Sequence, residues 1–95
     1  MFRTIYVAEP SHDISALSVY TDKIKFITSG FESVKDIERI VEENLKEFDP
    51  IMDAVVPVGR VISSLIIGMV LSKKCNGKPL NMAVYKDKTY TFTKI

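Results

Sequence analysis

Few side chains here can do acid–base or nucleophilic chemistry. His12 is the one histidine, Cys75 the one cysteine, and the arginines are Arg3, Arg39 and Arg60. His12 lies in the loop Glu9-Pro10-Ser11-His12-Asp13, just after the first apolar run. An imidazole there suits a general acid or base, or a contact to phosphate. The plainer alternative is an exposed loop histidine. Arg60 follows a second apolar run, with Gly59 before it and Ser63 and Ser64 one turn later. Glycine lets a backbone approach a ligand closely. A helix N-terminus with free N–H groups beside a guanidinium suits an anion. Pairing with Asp53 or Glu9 accounts for the same arginine equally well, and the two serines could serve local backbone. Cys75 stands beside Lys73 and Lys74 with no second cysteine or histidine near it, so the spacing offers no zinc site and no internal disulfide. No Walker loop, GxGxxG or nucleophile motif is present. Neither a metal nor a cofactor is expected.

The elements that must position these residues read as follows. Phe2 to Ala8 is a strand. Ala16–Tyr20 and Ile24–Thr28 each alternate around Thr21-Asp22-Lys23, which predicts a hairpin; a short helix over 13–20 competes with it. Ser33 is placed as an N-cap, with Asp36 in the capping-box position. Val34, Ile37, Val41, Leu45 and Phe48 then recur at steps of three and four, one stripe of a helix over about 33–48. Asp49-Pro50 should end it, because the residue before proline avoids helical angles. Asp53–Val58 is apolar on both faces, as in a central strand of a covered, partly parallel sheet, with Pro57 fitting best at its end. Val61–Lys74 reads as a second helix, about 61–74, apolar nearly all round; it has to be buried in the domain or against a partner. Leu80–Lys86 and Thr89–Ile95 flank Asp87-Lys88, a two-residue hairpin.

The expected fold is a single α/β domain over residues 1–95. It is a small Rossmann-like sheet, partly parallel, with an antiparallel C-terminal hairpin and two main helices. In such sheets ligands bind outside the carboxyl ends of the strands. That places Ser11, His12 and Asp13 at the end of one strand, and Gly59, Arg60, Ser63 and Ser64 at the end of another.

The chain has 95 residues, enough for one domain and one modest core. A net charge of +1 excludes a protein that coats nucleic acid through a basic excess. Duplex DNA is not an expected partner, since helix 33–48 is acidic and helix 61–74 apolar. No apolar stretch reaches the roughly 20 residues of a membrane span, and no leader is visible, so a cytoplasmic chain without membrane contact is expected. Gln is absent while Lys and Ile are plentiful, a thermophile bias. Charge is uneven. Residues 31–54 hold eight acids against three bases, and residues 73–94 hold six lysines against Asp87 alone. Solvated faces account for this, as would attraction between unlike patches.

Asp53 to Ile95 resembles a half-domain of the CRISPR-associated Rossmann fold group. It is similar in particular to the small stand-alone ring nucleases and the viral anti-CRISPR ring nucleases. The matching pieces are Ala54–Val58, Gly59-Arg60, the apolar helix Val61–Leu71, Pro79–Tyr85 and the closing strand Tyr90–Ile95. The resemblance implies a homodimer binding a cyclic oligoadenylate across its two-fold axis, with cleavage by attack of a 2′-hydroxyl on the adjacent phosphate. It implies that Gly59, Arg60 and Ser63 line the ligand and that Ser11 and His12 face it. Metal-dependent members carry histidines near the helix and hairpin, which this chain lacks. A metal-free mechanism would rest on positioning and on positive charge from Arg60, His12 and a C-terminal lysine, with His12 and Arg60 as the catalytic pair.

Two readings of function follow. One is a homodimer, joined through helix 61–72, that binds a cyclic oligoadenylate, with metal-independent cleavage and binding without cleavage both open. The other is a non-catalytic homodimeric assembly or protein-interaction module.

Overall fold

The structure is a computed structural model and describes residues 1–11 and 13–95. It is an α/β fold. Strand β1 (Thr4–Val7) is followed by a 3₁₀ helix (Ser15–Val19) and β2 (Ile24–Phe26). Helix α1 (Val34–Asn44), β3 (Asp53–Val56) and α2 (Val61–Cys75) come next, then β4 (Asn81–Lys86) and β5 (Thr89–Lys94). The sheet order is β2-β1-β3-β4-β5. All neighbours are parallel except β4 and β5, which pair antiparallel. In register, Ile5 lies opposite Ile24 on one side and Ala54 on the other.

The alternation of β1 and β3 divides the core in two. On one face Tyr6, Ala8 and Val55 meet Ile37 and Val41 of α1, Leu45 just past its end, and Ile67 and Leu71 of α2. On the other, Ile5, Val7, Ala54 and Val56 meet Leu17 and Tyr90. Both faces of the central strands are covered, which is why they read as continuous apolar runs. Aromatic rings extend the second layer: Phe92 lies 4.9 Å from Phe2 and 4.8 Å from Tyr20, centroid to centroid.

Three expectations change. The hairpin over 16–28 does not form; the competing short helix does, followed by a parallel strand. Leu17 is fully buried while Val19 is 70% exposed, so their apparent shared face is an accident of composition. The Asp13 carboxylate accepts the Ser15 N–H at 2.9 Å and starts the 3₁₀ turn. Thr21 Oγ1 then accepts the Lys23 N–H and donates to the Lys23 carbonyl, turning the chain into β2. Helix α1 also ends at Asn44, short of Asp49-Pro50. The Asn44 side chain donates to the Ile27 carbonyl at 2.7 Å, and Leu45 leaves helical angles. Leu45 and Phe48 still reach the core through a closing turn. Finally, Ser33 stands at the N-cap without bonding the helix backbone through its side chain. Its hydroxyl donates to the Asp36 carboxylate at 2.8 Å instead.

The remaining elements agree with the sequence. Strand β3 stops at Val56, just before Pro57. The hairpin residues Asp87 and Lys88 both have positive φ, 53° and 64°, as a type I′ turn requires. Among the described residues, no helix is long and apolar enough to cross a membrane.

Candidate functional site

The first crossover carries the chain from β1 to β2, on one side. The next carries it back across to β3, on the other side of β1. The strand order therefore reverses between β1 and β3, and the crevice beyond their carboxyl ends is the place where open α/β sheets hold ligands. Five polar side chains meet there: Glu9 after β1, Thr28 after β2, Glu32 before α1, Arg60 after β3 and Ser63 in the first turn of α2.

Glu9 is the hub. Its side chain is 4% exposed. Oε1 accepts the Arg60 backbone N–H at 2.8 Å, and Oε2 accepts Arg60 Nε at 2.7 Å. Oε2 also accepts the Thr28 hydroxyl at 3.2 Å and the Ser63 hydroxyl. Burial pushes the Glu9 carboxyl up, but the Ser63 hydroxyl and the Arg60 donors outweigh it and hold the group below its ordinary value. Gly59 is required beside it. Its φ is +102°, and a Cβ there would stand 2.3 Å from Glu9 Oε1 and 2.7 Å from Glu9 Cβ.

Arg60 is held from a second side. Nη1 donates to the Glu32 carbonyl at 2.9 Å and Nη2 to Glu32 Oε1 at 3.3 Å. The Glu32 carboxylate also accepts the N–H groups of Ser29 and Gly30. Burial raises the Glu32 carboxyl, and these backbone donors, Ser29 first, bring it below its ordinary value. Two carboxylates face one guanidinium, so the network carries one net negative charge. Three of the five guanidinium N–H groups are engaged within it.

Open clefts flank the network. One of about 400 Å³ is lined by Pro10, Phe26, Thr28, Ser29, Glu32 and Asn44, among others. Another of about 430 Å³ runs from Pro57, Val58 and Gly59 to Met82–Tyr85. Among the described residues, no group of three or more His, Cys, Asp or Glu side chains is placed to hold a metal ion.

The structure therefore brings Gly59, Arg60 and Ser63 together. Ser64 is half-buried one position along α2, and its backbone N–H donates to the Arg60 carbonyl at 3.3 Å. Ser11 is exposed on the loop after Glu9, with its N–H on the Glu9 carbonyl. His12 lies outside the described residues. Of the two partners open to Arg60, Glu9 takes it. Asp53 is fully buried at the opposite end of β3 and pairs with Arg3 at 2.7 Å. Thr28 and Glu32 were not singled out in the sequence. Their signal is weak, since each lies in a loop whose distance from Arg60 only the fold defines. The chain matches no known family, curated protein or solved structure.

Proposed function

We propose that the chain is a homodimeric assembly module whose α2 face seats a second copy. The observation that carries this reading is the outer face of α2. Val61, Leu65 and Met69, four residues apart, are 74%, 61% and 54% exposed, with Ile62 beside them at 37%. A surface helix normally turns polar residues outward. Single exposed apolar residues are ordinary, but a stripe along a 15-residue helix marks an interaction surface. No charged side chain interrupts α2 between Arg60 and Lys73. Light scattering after size-exclusion chromatography tests the reading. A dimer mass is expected, falling to a monomer in Leu65→Lys or Met69→Glu with the circular-dichroism spectrum kept. A monomeric mass for the unaltered chain at millimolar concentration would overturn it.

A second reading, binding and cleavage of a cyclic oligoadenylate, has one observation in its favour. Gly59, Arg60 and the first turn of α2 stand at the switch point, with a cleft on either side. A phosphate there has to take Arg60 from Glu32 against one net negative charge, which is why the assembly reading comes first. A thermal-shift titration with cyclic tetra-adenylate and hexa-adenylate tests it. Binding at 100 times the dissociation constant adds about 2.7 kcal/mol. Chromatography of the nucleotide then separates a binder from a ring nuclease. No shift at high ligand removes the reading.

A further inference from the structure

We propose that the two α2 helices of the dimer cross antiparallel on a two-fold axis at Gly68. This inference rests on the homodimer reading above and fixes its geometry. Gly68 is the middle residue of Val61–Cys75, with seven residues on either side. Glycine inside a helix weakens it relative to alanine. Among the described residues nothing asks for that weakness. The backbone of Gly68 is helical, and a Cβ built there meets no atom within 4 Å. The missing methyl therefore serves a contact outside the protomer. At helical spacing Gly68 shares the outward stripe with Leu65 and Met69.

A two-fold axis brings the same residue of both copies together. An antiparallel pair overlaps along the whole of α2 only when that residue is the central one. A different protein would place no such demand on the midpoint. Charge favours the same arrangement. The C-terminal turn of α2 carries Lys73 and Lys74, while its N-terminal end adjoins the Glu9–Arg60–Glu32 network with its net negative charge. Antiparallel packing sets the exposed Lys73 of one copy toward the acidic end of the other, while Lys74 stays on the Lys46 carbonyl of its own protomer, and matches the helix dipoles. Parallel packing would set lysines on lysines.

The sheet supplies the rest of the seat. A stable interface takes about 800 Å² from each partner, more than the outer face of a helix about 22 Å long provides. Strands β4 and β5 are joined by a two-residue hairpin, so no crossover helix lies between them to cover their helix-side face. Met82 packs into the helix-side core, and Val84, two residues on and on the same face, is 54% exposed. A partner helix lying along α2 would cover it.

Site-directed disulfides test the crossing, because a disulfide needs the two Cα atoms within about 4.4–6.8 Å. The probes are single-cysteine variants made in a Cys75→Ser background and oxidised with copper phenanthroline. Gly68→Cys is expected to give a covalent dimer in high yield, and Ser72→Cys alone almost none. A mixture of Ser64→Cys and Ser72→Cys chains should cross-link to each other. Gly68→Leu, tested by light scattering, should weaken the dimer at least tenfold without lowering the melting temperature of the monomer. A dimer by light scattering that cross-links at Ser72→Cys and not at Gly68→Cys would overturn the crossing and leave the homodimer standing. A monomeric mass for the unaltered chain would overturn both.

Discussion

Replacing Gly59 by alanine probes the Glu9 network from its tightest point. Two costs add. At φ +102° a side chain is strained, by about 1–2 kcal/mol on the scale of left-handed backbone. The new Cβ would also overlap Glu9 Oε1 at 2.3 Å and Glu9 Cβ at 2.7 Å. The carboxylate oxygen can swing aside, but Glu9 Cβ can move only with its backbone. Either way the acceptor leaves the Arg60 N–H and the Ser63 hydroxyl. Stranding such buried donors costs about 1–3 kcal/mol. The sum is about 3 kcal/mol, or roughly 12–24 °C in melting temperature for a domain of this size. Gly77→Ala is the control. Gly77 has φ +74° with nothing within 4 Å of its would-be Cβ, so it reports strain alone. Urea denaturation of both variants against the parent measures the difference. Equal losses at the two glycines would refute the reasoning, because the contact with Glu9 would then contribute nothing.

Acid should uncover the same network. The Glu9 and Glu32 carboxyls are held below the ordinary value of 4.5 in the folded chain, so the stability they confer is complete above about pH 4.5 and is lost as pH falls through their folded values. Glu9→Gln should be less stable at pH 7 and show a flatter decline below pH 4.5; parallel curves for variant and parent would count against the assignment. Burial pushes the Cys75 thiol up, with Lys74 and Lys78 only partly offsetting it. Alkylation by iodoacetamide at pH 8 should be slow until denaturant is added, whereas a native rate equal to the unfolded one would mean that solvent reaches the thiol. Asp53→Ala removes the acceptor of the Asp49 N–H and of Arg3. The unpaired N–H alone should cost about 1–3 kcal/mol in urea denaturation.

Local pattern carried the long elements and failed on the short ones. The stripe Val34, Ile37, Val41, Leu45, Phe48 was legible from Ile37 onward, because those four residues are buried on the same side; Val34 in the first turn is 64% exposed, and α1 itself stops at Asn44. The hairpin turn Asp87-Lys88 was legible from the two runs flanking it. Residues 13–28 were not. A 3₁₀ helix of five residues buries one side chain, Leu17, which leaves no periodicity to read. Strand β2 has three residues, and what makes it a strand is its parallel pairing with β1, some 20 residues earlier. That pairing is a tertiary fact with no local signature. The end of α1 is another case, since the Asn44 side chain bonds the carbonyl of Ile27, just past β2, which the sequence cannot place.

The partner of Arg60 was within reach of the sequence, and the route to it explains the chemistry of the site. Once β1 and β3 are parallel neighbours, their ends match. Arg3 precedes β1 and Asp53 opens β3, while Glu9 and Arg60 follow the two strands, so the ion pairs must form Arg3 with Asp53 and Glu9 with Arg60. A strand of four residues, about 13 Å long, keeps Asp53 out of reach of Arg60. What parallel order does not reveal is Glu32, which arrives from the loop before α1 and binds Arg60 from the other side. That second carboxylate changes what the switch point can do. With Glu9 alone, Arg60 would close a neutral pair and keep donors for a phosphate. With Glu32 as well, the guanidinium clamps β1, the 29–33 loop and the start of α2 together, and the crevice carries negative charge. The residues that look most like an anion site thus serve to fix the N-terminal end of α2. A helix so fixed, with its apolar face outward, is a rigid surface on which a second copy can dock.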